Sequence, residues 1–153
     1  MFDSGLESTG QTSYRLAQAK WFAESLLSNT KPHLFGFIHI LHSPEYIATN
    51  SSDWLGENLT LIANTFNNRN SITVGNQNYN FSSAIGTFHF MCCGHYHSDG
   101  IFTRNGIPIL RTDTFHNAKA FDLCYANFNT AKLSTVRIGV GNNRTMNIIS
   151  NIE

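Results

Sequence analysis

Two continuous apolar runs set the strongest limit on what this chain can fold into. Leu34-Phe35-Gly36-Phe37-Ile38-His39-Ile40 and Thr87-Phe88-His89-Phe90-Met91-Cys92-Cys93 each have the length of one β-strand. Neither alternates apolar with polar residues, so each is expected to be a central strand covered on both faces. A helical pattern precedes each run. Leu16, Ala19, Ala23, Leu26 and Leu27 recur at helical spacing over 13–28, and Asn29 and Pro32 stop that helix. Leu55, Leu59, Ile62, Ala63 and Phe66 form a second stripe, beginning near Ser52 or Asp53, either of which can cap it.

The remaining chain reads as β-structure. The Asn-rich stretch 67–83 is an excursion with a small hairpin around Gly75-Asn76. Asn105-Gly106 is a strong hairpin signal between 101–104 and 107–111. Two further strands, 120–127 and 132–140, are joined by a turn at Asn129-Thr130. Helix, strand, helix, strand and then a β-meander make a mixed α/β arrangement, read as a single domain over 1–153.

Composition removes several classes of function. Ten basic and ten acidic residues give a net charge of zero, so there is no basic excess to neutralise a nucleic-acid backbone. The aromatic share of 12% is too high for a disordered chain. No apolar run approaches the roughly 18 residues that span a bilayer, and the first residues lack the basic and apolar segments of a signal peptide. A cytoplasmic location is the expectation. Three cysteines, with Cys92 and Cys93 adjacent and Cys124 apart, imply no disulfide framework.

Chemistry concentrates in Gly94-His95-Tyr96-His97-Ser98-Asp99-Gly100, after the second apolar run. Histidines at i and i+2 beyond a strand point the same way, toward the region where α/β sheets bind ligands. Neutral imidazoles there suit Zn, Mn or Fe. The pair alone is weak, since seven histidines in this length produce such spacings by chance. A second apolar strand that also ends in a histidine, His39, strengthens it.

Other residues invite simpler readings. His42 lies near the same end and reads first as a surface loop residue, with substrate contact as the alternative. Tyr96 either touches substrate or fills the mouth of a cleft. His89 is expected in the core or on a sheet face. Cys92 or Cys93 could join His95 and His97 in a structural zinc site. Adjacent strand positions face opposite ways, however, and buried small hydrophobes are the better reading of both. Arg104, Arg137 and Arg144 read either as phosphate contacts or as solvated strand ends, and Trp21, Phe22 and Trp54 as packing residues.

Several of these segments, in register, resemble the calcineurin-like metallophosphoesterases. Gly94-His95-Tyr96-His97 is similar to the family's Gly-His-x-His motif. Phe2-Asp3-Ser4-Gly5, Gln18 with Trp21-Phe22, and Phe37-Ile38-His39-Ile40 with Pro44-Glu45-Tyr46 resemble flanking segments of one branch. The resemblance covers residues 2 to about 100. It implies hydrolysis of a phosphoester at a centre of two divalent cations (Mn, Fe, Zn or Mg), in a β-sandwich flanked by helices. Carried over, His39 and His95 would ligate one cation and His97 the other, with Ser98 and Asp99 as outer partners of the imidazoles. The family's Asp-x-His, Gly-Asp-x-x-Asp and Gly-Asn-His motifs do not occur here, so the resemblance is to the C-terminal half of the domain. The expected partners are then a phosphoester substrate and either the missing N-terminal half or a self-associating copy. The alternatives are a catalytically inactive remnant and a structural zinc-binding or interaction module.

Overall fold

The computed structural model describes residues 12–38, 55–94, 98–113 and 119–151. The elements among them are α1 (Thr12–Leu27), β1 (His33–Ile38), α2 (Leu55–Asn67), β2 (Ser71–Val74), β3 (Gln77–Asn80), β4 (Thr87–Cys93), β5 (Gly100–Arg104), β6 (Ile107–Arg111), β7 (Phe121–Asn127), β8 (Lys132–Ile138) and β9 (Arg144–Asn147). A four-stranded sheet has the order β1-β4-β6-β5, β2 and β3 form a hairpin, and β7-β8-β9 form the meander. β1 and β6 both run parallel to β4, and β5 is antiparallel to β6.

Two hydrophobic layers cover the central strand. On one face Ala19, Phe22, Ala23 and Leu26 of α1 pack with Leu59, Ile62, Ala63 and Phe66 of α2 against Phe88, Met91, Ile107 and Ile109. On the other, Phe90, Cys92 and Leu110 meet Leu133, Met146 and Ile148. β4 is therefore buried at every position, Thr87 and His89 included, as its largely apolar sequence leads one to expect. Cys93 belongs to the first layer and Cys92 to the second, following the pleat.

Local signals fix the turns. Asn105 and Gly106 have φ of 46° and 76°, the paired positive values of a two-residue hairpin matched to strand twist. β8 ends at Ile138 rather than continuing to Val140, because Gly139 turns at φ 102° against Lys119. A Cβ there would sit 2.2 Å from the Lys119 carbonyl oxygen, so only glycine fits. The meander then gains a third strand, β9, which the sequence pattern did not indicate.

Two expectations are corrected. Among the described residues β1 is an edge strand rather than a central one: the meander reaches it at His33, on which the Phe128 ring stacks, and leaves Phe35 and Phe37 49% and 55% exposed. On α1, Leu16 and Leu27 are exposed and Phe22 takes their place in the buried stripe, while Trp21, expected to pack, is 52% exposed. Ser52, Asp53 and Trp54 lie outside the described residues.

The β1–β4 ladder also carries a bulge. Leu34 pairs with Phe88 and Phe35 with Phe90, which leaves His89 as the extra residue. Beside it, Asn67 at the end of α2 donates its amide to the Phe88 carbonyl at 2.9 Å, and its oxygen accepts the Phe88 N–H at 2.8 Å. The β4–β6 ladder begins only at Met91, so Asn67 satisfies backbone groups that β6 does not reach.

Candidate functional site

Three parallel strands finish level at one end of the sheet. Ile38 of β1 is opposite Cys93 of β4, and Cys93 is opposite Arg111 of β6. A cavity of about 580 Å³ opens there, between the sheet and β7, lined among others by Ile38, Gly94, Leu110, Asp113, Phe121 and Cys124. Its position beyond parallel strand ends is where sheets of this kind bind ligands.

The residues named from sequence for chemistry follow directly on these strand ends. His39 is next after Ile38, and Gly94-His95-Tyr96-His97 follows Cys93. His39, His42, His95, Tyr96 and His97 all lie outside the described residues. Among the described residues, no group of three or more His, Cys, Asp or Glu side chains could hold a metal ion.

The cysteines are what burial makes them. Burial pushes the Cys92 thiol up to about 12, with Cys124, Cys93 and Asp122 adding to the rise and Arg144 opposing it. Burial likewise raises Cys93 to about 12 against the pull of Arg111. Without a metal ion, both thiols are held protonated in their apolar layers.

The largest feature missed by sequence reasoning is a buried ion network beside this end of the sheet. The Asp122 carboxylate, 2% exposed, pairs through Oδ2 with Arg144 and with Arg137 at 3.3 Å. Asp99 pairs with Arg137 and, at 3.5 Å, with Arg144. Arg144 also donates to the Arg111 carbonyl at 2.7 Å. Arg137 and Arg144 are thus not solvated strand ends, and Arg104 too is buried. Burial and the neighbouring Arg144 both lower the pKa of Arg137. Asp122 Oδ1, Arg137 Nε and Arg144 Nε are buried without hydrogen-bond partners among the described residues.

The same network engages Ser98 and Asp99. Ser98 accepts a hydrogen bond from Arg111 Nε at 3.1 Å, and Asp99 accepts the Asp113 N–H at 3.0 Å besides its ion pairs. Both tie strand ends together.

His89, expected in the core, is fully buried. It faces His33, which sequence reasoning had not singled out.

Comparison of the chain with protein-family models, with curated proteins and with solved structures finds no match.

Proposed function

We propose that the level ends of β1 and β4 form one wall of a metal-dependent phosphoester-hydrolysing cleft, to which this chain contributes the histidine ligands. The observation that supports this reading most is the parallel pairing of Ile38 with Cys93. It brings side by side the two strand ends from which His39 and the Gly94-His95-Tyr96-His97 segment continue. In this reading His39 and His95 ligate one divalent cation and His97 a second, and His42 and Tyr96 contact the substrate. Bound cations would supply Lewis-acid stabilisation of charge on the phosphoryl oxygens.

Among the described residues, two of the carboxylates near this end of the sheet are already engaged. Asp99 and Asp122 are already held by Arg137 and Arg144. Imidazoles alone are a poor ligand set for two hard divalent ions. We therefore assign the bridging carboxylates to a segment outside this sequence, the N-terminal half of a metallophosphoesterase-type sandwich, and expect little turnover from these residues by themselves.

Titration of the intact chain with Mn²⁺ and Zn²⁺, followed by calorimetry, tests the ligand assignment. His39→Ala and His97→Ala should each weaken binding by about tenfold or more. Unchanged binding in both variants would leave a fold without this metal site. Rapid metal-dependent hydrolysis of bis(p-nitrophenyl) phosphate by the chain alone would overturn the division of the site between two segments.

A further inference from the structure

We infer that His33 is an activated nucleophile, and that the cavity it lines takes a small, neutral acyl group. The site lies at the start of β1, the opposite end from Ile38, and is independent of the metal cleft. A cavity of about 410 Å³ opens there, lined among others by Thr30, Pro32, His33, Ile85, Thr87 and Asn151. Its two walls are tied together. Asn29 Nδ2 donates to the carbonyls of Lys31 at 2.7 Å and Ile85 at 3.0 Å, and the Thr87 N–H donates to the Pro32 carbonyl at 2.9 Å.

A nucleophile is directed when the group beside it is a base that a third group orients in turn. His33, His89 and the Ile149 carbonyl form that series. The Ile149 carbonyl fixes the His89 proton on Nδ1, so the 3.0 Å contact between His33 Nδ1 and His89 Nε2 is a donation from His33. The proton of His33 therefore sits on Nδ1, and its Nε2 keeps a lone pair. The Phe128 ring, with its centroid 4.1 Å from that of His33 and the planes 6° apart, holds the orientation of the imidazole. The bulge in β4 aims His89 at this position. Phe88 and Met91 belong to the helix layer and Phe90 to the meander layer, and His89, against Phe128, also lies on the meander side. Two successive residues thus face one way, a rearrangement that bulges supply beside active sites.

In the reaction His33 Nε2 attacks the carbonyl carbon of an activated ester or anhydride. The bond from that carbon to the leaving oxygen breaks, and its electron pair departs with the oxygen. The acylated ring is a cation, and its Nδ1 proton passes to His89 Nε2. Water then adds to the acyl carbon, the C–N bond breaks, and its electron pair returns to Nε2. His89 returns the proton to His33, and the proton that water loses neutralises the departed oxygen. Among the described residues that line the cavity there is no Lys, Arg, Asp or Glu. An uncharged carbonyl electrophile therefore fits, whereas an anionic donor finds no counter-charge.

Diethyl pyrocarbonate, a neutral acylating reagent, is the probe, with the modified histidines of the intact chain mapped by mass spectrometry. A half-buried imidazole held only by packing reacts more slowly in the folded chain than in denaturing urea. His33, half-buried, should do the opposite and react about tenfold or more faster when folded. Acetyl phosphate, an anionic donor, should show no such gain at His33. Nitrogen NMR should place the His33 proton on Nδ1 in the native chain. In His89→Leu, whose fold circular dichroism verifies, the proton should move to Nε2 and the gain should disappear. A His33 that reacts no faster folded than unfolded, or that carries its proton on Nε2 in the native chain, would overturn the assignment. An equal gain with acetyl phosphate would overturn the neutral class of donor named here.

Discussion

His33 Nδ1 lies 3.0 Å from His89 Nε2, across the pairing of β1 with β4. The other nitrogen of His89, Nδ1, is 2.5 Å from the Ile149 carbonyl, which can only accept. His89 therefore carries its proton on Nδ1, and its Nε2 accepts from the Nδ1–H of His33. Phe128 stacks on His33 with centroids 4.1 Å apart and closes the pair off. Two imidazoles thus fasten the segment after β9 to the four-stranded sheet.

This fastening should weaken in acid. Burial is the main cause that lowers the His89 pKa below the ordinary 6.5; the Ile149 hydrogen bond opposes it and His33 adds to it. Folded His89 then binds a proton less readily than the unfolded chain does. Stability from this group is complete above about pH 6.5 and falls as pH drops from there toward the folded pKa. Thermal unfolding followed from pH 8 to pH 5 should show that decline, and His89→Gln should flatten it over the same window. Identical slopes for both proteins would remove His89 as the cause.

The buried ion network should be intolerant of losing one member. Asp122 and Arg137 have side chains 2% and 1% exposed, so Asp122→Ala leaves Arg137 and Arg144 with only the partly exposed Asp99 between them in a poorly hydrated place. The expected loss is about 3 kcal/mol or more, read as a lower urea midpoint. A loss below about 1 kcal/mol would mean that water reaches the cluster and screens it.

What the sequence made legible follows from how local each signal is. The hairpin at Asn105-Gly106 needs only its own backbone geometry, and β4 is mostly apolar because both of its faces are covered. β1 is similarly apolar but lies at an edge among the described residues: composition reports the surroundings a strand requires, not which residues provide them. The alternation in β7 and β8 shows two faces without saying which turns inward. Asp122, Arg137 and Arg144 point in, while Phe121, Leu123, Val136 and Ile138 remain exposed, the reverse of the usual pattern. Only the convergence of Asp99 with those residues makes that orientation tolerable, and convergence across distant segments leaves no periodic trace. Of the candidate site, the two strand ends were legible, while the imidazoles beyond them lie outside the described residues.

Asn67 provides a test of the bulge. Its side chain pairs with both backbone groups of Phe88, and it is 5% exposed. Asn67→Ala would leave a buried N–H and a buried C=O unpaired, at a cost of about 2–4 kcal/mol in chemical denaturation. Asn67→Asp keeps the acceptor for the Phe88 N–H but sets a carboxylate against the Phe88 carbonyl, so it should not restore stability at neutral pH. Rescue by Asp would mean that the N–H contact alone matters.

Thiol reactivity should separate the three cysteines cleanly. Cys92 and Cys93, raised to about 12 and buried in opposite layers, have almost no thiolate near pH 8 and little exposed surface. Cys124 is exposed on β7, although burial of its thiol, with Asp122 adding to the effect, still raises its pKa. A disulfide reagent should therefore modify Cys124 alone in the folded chain, and Cys124→Ser should abolish the reaction. Because the pKa is raised, the rate should keep climbing above pH 9, where an unperturbed thiol would approach its plateau. In denaturing urea all three should react at similar rates. Fast modification of Cys92 in the folded chain would mean that the cavity between the sheet and β7 admits reagents to the inner layer.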